Sequence, residues 1–245
     1  MMEVELTGGA APPLHFLCSV CTVYLGIIVI TTENVLEIQV DTDHYDAAAY
    51  NDKPRYYSYV EQIVETGNLK PTSVVEIGIG NGFTTRGLRD LGIAVTTVDF
   101  DATLCPDFVA SVCSIPLPSG STDVSLCFEV LEHLPFDQFS IALRELARIS
   151  REWVFISVPD CRSAIRLEAS RGWLPIKTFQ RMFSNFPPRK PFPCHFDGQH
   201  YWEIGKLETP ETRVLDTIRQ SGLQIERHYR LPLNPYHHFF MLKKV

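Results

Sequence analysis

From Pro54 onward, apolar and polar positions fall into alternating helical and extended blocks. Pro54–Leu69 carries Tyr57, Val60, Ile63 and Val64 at helical spacing, which predicts a helix with that face inward. Ser73–Ile77 is a β-branched run that ends in glycines, the pattern of a strand stopping at a turn. Phe83–Leu91 reads as a short helix closed by Gly92. Ala94–Val98, Phe108–Val112 and Asp123–Phe128 read as three more strands, the last two parted by the turn-forming stretch Pro116–Ser121. Phe136–Ile149 predicts an amphipathic helix with Phe139, Leu143, Leu146 and Ala147 inward, and Trp153–Val158 a fifth strand. Thr209–Ser221 predicts a helix closed by Gly222, followed by strands at Leu223–Tyr229 and His237–Leu242.

Strands alternating with helices imply a parallel sheet covered on both faces. Arg230–Tyr236 is too short for a parallel crossover, so the last two strands must be antiparallel. The expected fold is therefore α/β: a Rossmann-like doubly wound seven-stranded sheet, mostly parallel with an antiparallel last strand. Phe100–Asp107 leaves no room for a crossover helix, which predicts a loop or single turn there. Residues 159–206 are too long for a simple loop and predict a lid or substrate platform. Within it, Phe179, Met182, Phe183 and Phe186 have helical spacing, and Arg162–Lys190 holds seven bases and one acid.

Composition narrows the class. Apolar residues are 45% and charged residues 21% of 245, which suits a globule able to bury its own core. The net charge of −7 is concentrated: residues 1–52 hold eight acids and no Lys or Arg, so the body is nearly neutral and argues against nucleic acid as a partner. Residues 1–40 predict an extension ahead of a domain spanning 41–245, dispensable for its folding. Phe16–Ile30 is an uncharged run of 15 residues, shorter than the roughly 20 of a spanning helix and without basic flanks. It reads as a packed or poorly ordered extension, with membrane association or a later translation start as the alternatives; 16–30 and 162–190 are the segments suited to a membrane surface. Seven scattered cysteines indicate reduced thiols and a cytoplasmic protein, peripheral to the membrane if those segments engage it. Cys18 and Cys21 lack the second close pair that a four-cysteine zinc site needs.

The strongest chemical signal is Val74-Val-Glu-Ile-Gly-Ile-Gly-Asn-Gly-Phe83. Here a strand runs through three glycines into a helix, letting backbone approach a ligand at a helix N-terminus. The spacing is GxGxG rather than the GxGxxG of dinucleotide sites. Glu76, just before the first glycine, is an acceptor for an amine or hydroxyl. Asp99 ends the next strand, where a carboxylate can accept both hydroxyls of a ribose; Asp101 is its rival. Glu76, Asp99, Ser111 and Glu129 all fall at carboxyl ends of strands, the rim where open α/β sheets bind ligands.

With these residues the chain resembles the class I S-adenosylmethionine-dependent methyltransferases of the type 11/12 kind, from about Tyr45 to the C-terminus. Glu76–Gly82 is similar to that family's acidic GxGxG motif, and Asp99 to its ribose-binding acid. Ala110–Pro118 resembles the segment whose Asp holds the adenine amino group; Ser111 stands at that place here, and the Val112 backbone N–H is left to meet the ring. Phe128–Pro135 resembles the segment after the fourth strand. The resemblance implies S-adenosylmethionine as cofactor, held by Glu76, Gly78, Gly80, Gly82, Asp99, Ser111, Val112 and Glu129. It implies methyl transfer to an oxygen or nitrogen of a small-molecule or glycan- or lipid-linked acceptor. Alternatives are an NAD(P)-dependent oxidoreductase, which the GxGxG spacing disfavours, and a non-catalytic adenosylmethionine-binding protein.

Glu129, Glu132 and His133 form an E-x-x-E-H cluster that one helical turn would place on a single face. His133 is the leading candidate for catalytic base, with Glu129 second and Glu132 beside them. Two carboxylates and an imidazole also suit a hard divalent ion such as Mg²⁺. The cluster resembles the metal site of small-RNA 2′-O-methyltransferases and ubiquinone-pathway O-methyltransferases, which implies His200, from His200-Tyr-Trp-Glu203, as a further ligand. The metal-free alternative has His133 acting directly. His237 and His238 are expected to be strand or rim residues with a structural role.

Overall fold

A computed structural model describes residues 52–169, 179–185 and 188–245. The expected extension 1–40, its 16–30 run, Cys18, Cys21 and Phe186 lie outside the described residues. The chain enters through α1 (Lys53–Asn68) and β1 (Ser73–Ile77), followed by α2 (Phe83–Asp90), β2 (Ala94–Asp99) and β3 (Phe108–Val109). Next come β4 (Thr122–Phe128), α3 (Phe136–Ile149) and β5 (Ser150–Pro159). A hairpin of β6 (Ala164–Ala169) and β7 (Phe179–Ser184) precedes α4 (Glu211–Gln220), β8 (Leu223–Leu231) and β9 (Asn234–Lys244).

Seven strands form one sheet in the order β3-β2-β1-β4-β5-β9-β8. β1 pairs in parallel with β2 and β4, and β5 in parallel with β4. β9 runs antiparallel between β5 and β8, as the short last connection required. The order reverses between β1 and β4, the switch point at which such sheets open a crevice for ligand. Val74, Val124, Leu126, Phe155 and Phe239 are buried in the sheet, and Phe139, Leu143, Leu146 and Ala147 of α3 face inward as expected. α1 and α2 pack closely because Gly87 has no side chain: a Cβ there would lie 2.3 Å from Ile63 Cδ1.

Three expectations need correction. The inward face of α1 is mixed: Tyr57 and Ile63 pack against the core as expected and Ser58, Gln62 and Thr66 are buried beside them, whereas Val60 and Val64 are 53% and 50% exposed. Phe179, Met182 and Phe183 belong to strand β7 rather than a helix. The third strand stops at Val109, and the chain then folds into the turn Ser111–Ser114. Between β2 and β3 the expected single turn is present, over Ala102–Leu104.

Candidate functional site

The crevice lies at the carboxyl ends of β1, β2 and β4. Gly78 takes φ +79°, a left-handed conformation that glycine adopts without steric cost, and a Cβ there would sit 2.1 Å from Val130 Cγ2. The glycine turn is pinned by Asp99, whose Oδ2 accepts the Ile79 N–H at 2.9 Å and Oδ1 the Asp101 N–H at 3.0 Å. Burial pushes the Asp99 carboxyl up, and these backbone donors oppose it. Asp101 is occupied elsewhere: it caps the Ala102–Leu104 turn, accepting from Thr103 N at 2.8 Å. Gly82 caps α2 with φ +68°.

Glu76 is buried beneath the turn and accepts a hydrogen bond from the Thr85 hydroxyl. Burial raises its carboxyl to about 7. Ser111 Oγ accepts the Cys113 N–H at 3.2 Å, folding the turn that carries Val112.

Glu129 follows β4 in a left-handed conformation, φ +53°, held by its N–H to Ser157 O at 3.0 Å. That φ keeps it out of the three-residue turn Leu131–His133, so E-x-x-E-H does not share one helical face. Glu129 turns toward the glycine loop, with Oε2 3.5 Å from His237 Nε2 and Oε1 buried without a hydrogen-bond partner. Burial raises Glu129 to about 7 and depresses His237 to about 3. Arg55, Tyr59, Gln62, Glu76, Gly78, Asn81, Glu129 and His237 line one pocket.

A second group gathers beside it. Ligand atoms of Glu132, His133 and His200 lie within 4.8 Å of one another. Glu129 is not in this group, contrary to its expected place as a fourth ligand. Both Glu132 carboxylate oxygens are buried without hydrogen-bond partners, and burial followed by the Glu129 charge pushes its pKa well up. His133 Nδ1 bonds to Gln199 O at 3.0 Å, and His200 Nδ1 to Glu203 Oε1 at 3.1 Å. Tyr236 OH donates to the same Glu203 oxygen at 2.6 Å.

His200 reaches this place although 67 positions separate it from His133, because the insertion is tied down around it. Trp202 is buried against Phe136 and Phe139, and its Nε1 donates to Leu131 O at 3.2 Å. The Tyr201 N–H donates to Glu132 O at 2.8 Å.

Sequence reasoning missed Arg55, Tyr59 and Gln62, and placed His237 on a strand or the rim without giving it a part in the pocket. The spacing of Arg55, Tyr59 and Gln62, with Ser58 and Thr66, marks a polar helical face, and that was the available signal. His237 carried no comparable signal.

Residues 75–155 match the family described as a methyltransferase domain. No curated protein matches the chain in sequence. Among solved structures, the Burkholderia thailandensis 1,6-didemethyltoxoflavin-N1-methyltransferase, bound to 1,6-didemethyltoxoflavin and S-adenosylhomocysteine, is 15% identical with TM-score 0.56, covering 83% of this chain and 84% of that one. A Clostridium acetobutylicum S-adenosylmethionine-dependent methyltransferase is 9% identical with TM-score 0.55, covering 83% and 99%. The glycopeptide N-methyltransferase MtfA, complexed with sinefungin, is 11% identical with TM-score 0.52, covering 77% and 93%. Residues 75–155 thus resemble a methyltransferase domain, in a chain that has the fold of S-adenosylmethionine-dependent methyltransferases of known structure.

Proposed function

We propose that this chain transfers a methyl group from S-adenosylmethionine to an oxygen or nitrogen of a small-molecule or glycan- or lipid-linked acceptor. The observation that carries the reading is the succession of two groups: a glycine cradle lined by Glu76 and Glu129, its turn pinned by Asp99, and the Glu132–His133–His200 group that begins three residues after Glu129. The small-molecule part is supported by the toxoflavin-type acceptor bound in one structural neighbour.

The residues fit the cofactor. Gly78 allows close backbone approach, and the second lone pairs of the Asp99 oxygens suit a ribose diol. Glu129 Oε1 is a buried acceptor in want of a donor, and Arg55 brings positive charge to the same pocket. Bound S-adenosylmethionine supplies an electrophilic sulfonium methyl group. The chain's own contribution is to align the acceptor atom and to exclude water. His133 takes the acceptor's proton: with Nδ1 donating to the Gln199 carbonyl, the neutral ring carries its lone pair on Nε2. Glu203, itself held by Tyr236, fixes the neighbouring His200 in the same way.

The orphaned oxygens of Glu132 favour a second reading, in which Glu132, His133 and His200 hold Mg²⁺. Such an ion would supply Lewis acidity to an acceptor hydroxyl. Calorimetry tests the cofactor: S-adenosylmethionine or S-adenosylhomocysteine binds, and NAD does not. Binding of NAD alone would overturn the proposal.

A further inference from the structure

Outside the cofactor pocket, a second histidine cluster sits where β8, β9 and the start of α4 meet. Side chains alternate across a strand, so His238 faces away from its pocket-lining neighbour His237. His238 Nε2 lies 3.0 Å from His228 Nδ1, and Glu211 Oε1 lies 3.8 Å from that same His228 atom. One ligand atom from each of the three falls within 4.8 Å of the others. We propose that Glu211, His228 and His238 bind a zinc ion, with solvent as its fourth ligand.

The chemistry of the set points to zinc. Two imidazoles and one carboxylate with an open position form a known zinc ligand set, and hard ions that prefer all-oxygen ligands suit it less. The nitrogen separation is close to the ~3.3 Å expected of two nitrogens each about 2.0–2.1 Å from a tetrahedral ion.

The surroundings prepare the ligands. Asp160 Oδ2, fully buried, accepts from His238 Nδ1 at 3.0 Å, which leaves the His238 lone pair on Nε2. A carboxylate behind a histidine is the usual outer support of a zinc ligand. Arg162 takes the other Glu211 oxygen, Oε2, so Oε1 remains on the histidine side. Arg162 and Arg230 also balance the charge of Asp160. Without metal, one proton bridges the two facing ring nitrogens. Zinc takes that proton's place as His228 moves its own proton to Nε2. His228 is 35% exposed at the side chain, which gives the ion a way in.

The test uses the full chain, stripped with a chelator and titrated with Zn²⁺ against a chromophoric competitor. It is run in a His133→Ala background, which removes a ligand from the other cluster. One equivalent is expected to bind, and Co²⁺ in its place should show the intense visible bands of a four-coordinate ion. Adding His228→Ala is expected to weaken that equivalent on the order of tenfold or more, with the affinity for S-adenosylhomocysteine unchanged. Equal Zn²⁺ uptake with and without His228 overturns the proposal, as does no uptake by the parent. If the His228→Ala chain does not fold, the Co²⁺ spectrum of the parent decides: the pale bands of a six-coordinate ion overturn the site.

Discussion

Replacing Glu76 by Gln isolates the cost of a buried carboxylate in the cofactor-free protein. Glu76 is 3% exposed, and burial lifts its pKa from the usual 4.5 to about 7. A raised carboxyl pKa means that the folded chain holds the proton more tightly than the unfolded chain. Stability is therefore lost as pH rises from the unfolded to the folded value, between 4.5 and about 7. The full shift corresponds to about 3 kcal/mol at pH 8, and at pH 5 less than about 1 kcal/mol of it has been lost. Gln can still accept from the Thr85 hydroxyl and carries no charge. Glu76→Gln is thus expected to raise the melting temperature by roughly 6–12 °C at pH 8, and by less than about 4 °C at pH 5, at 2–4 °C per kcal/mol for a chain of this size. The assay is thermal unfolding of both proteins at the two pH values without cofactor. The difference between the pH values is decisive, because any intrinsic effect of the amide cancels. An equal shift at both, or a larger gain at pH 5, would refute the reasoning.

Gly78→Ala should abolish detectable cofactor binding, since its Cβ would meet Val130 at 2.1 Å in a backbone conformation that alanine avoids; calorimetry with unchanged affinity would count against the cradle. His133→Ala should lower kcat by on the order of 10²-fold or more, with cofactor affinity nearly intact, and an unchanged rate would remove His133 from the chemistry. On the native chain, a chelator separates the two readings of that residue: turnover is abolished if Mg²⁺ is used and unaffected if His133 acts alone.

The sheet was legible because its strands are short β-branched runs bounded by glycine, proline or acid, and because connection length alone dictates the antiparallel β9. The glycine turn, Asp99 and the E-x-x-E-H segment were legible as residues whose types make sense only at a strand end. What failed did so for physical reasons. On α1 the inward face also meets a polar pocket, so Ser58, Gln62 and Thr66 take buried positions while Val60 and Val64, at the edge of the predicted face, point outward. At Phe179–Phe183 the aromatic positions fit both a helical and an alternating pattern, and pairing with Ala164–Ala169 decides for the strand. The position of Glu129 depends on one left-handed backbone angle that nothing in its neighbours announces.

The polar underside of α1 has a thermal consequence. This helix is held by hydrogen bonds: Asn234 Nδ2 donates to Ser58 at 3.0 Å, Thr84 to Gln62 at 2.5 Å, and Tyr229 to Glu61 at 2.6 Å. Exposing polar surface lowers heat capacity while exposing apolar surface raises it. Tyr57 and Ile63 still pack against the core, so undocking of α1 should raise the heat capacity, but by less per residue than melting of the sheet with its oily core. Water can replace the lost partners of Ser58, Gln62 and Glu61 one for one, so the polar half of this helix's docking, on the side that lines the pocket, costs little to release.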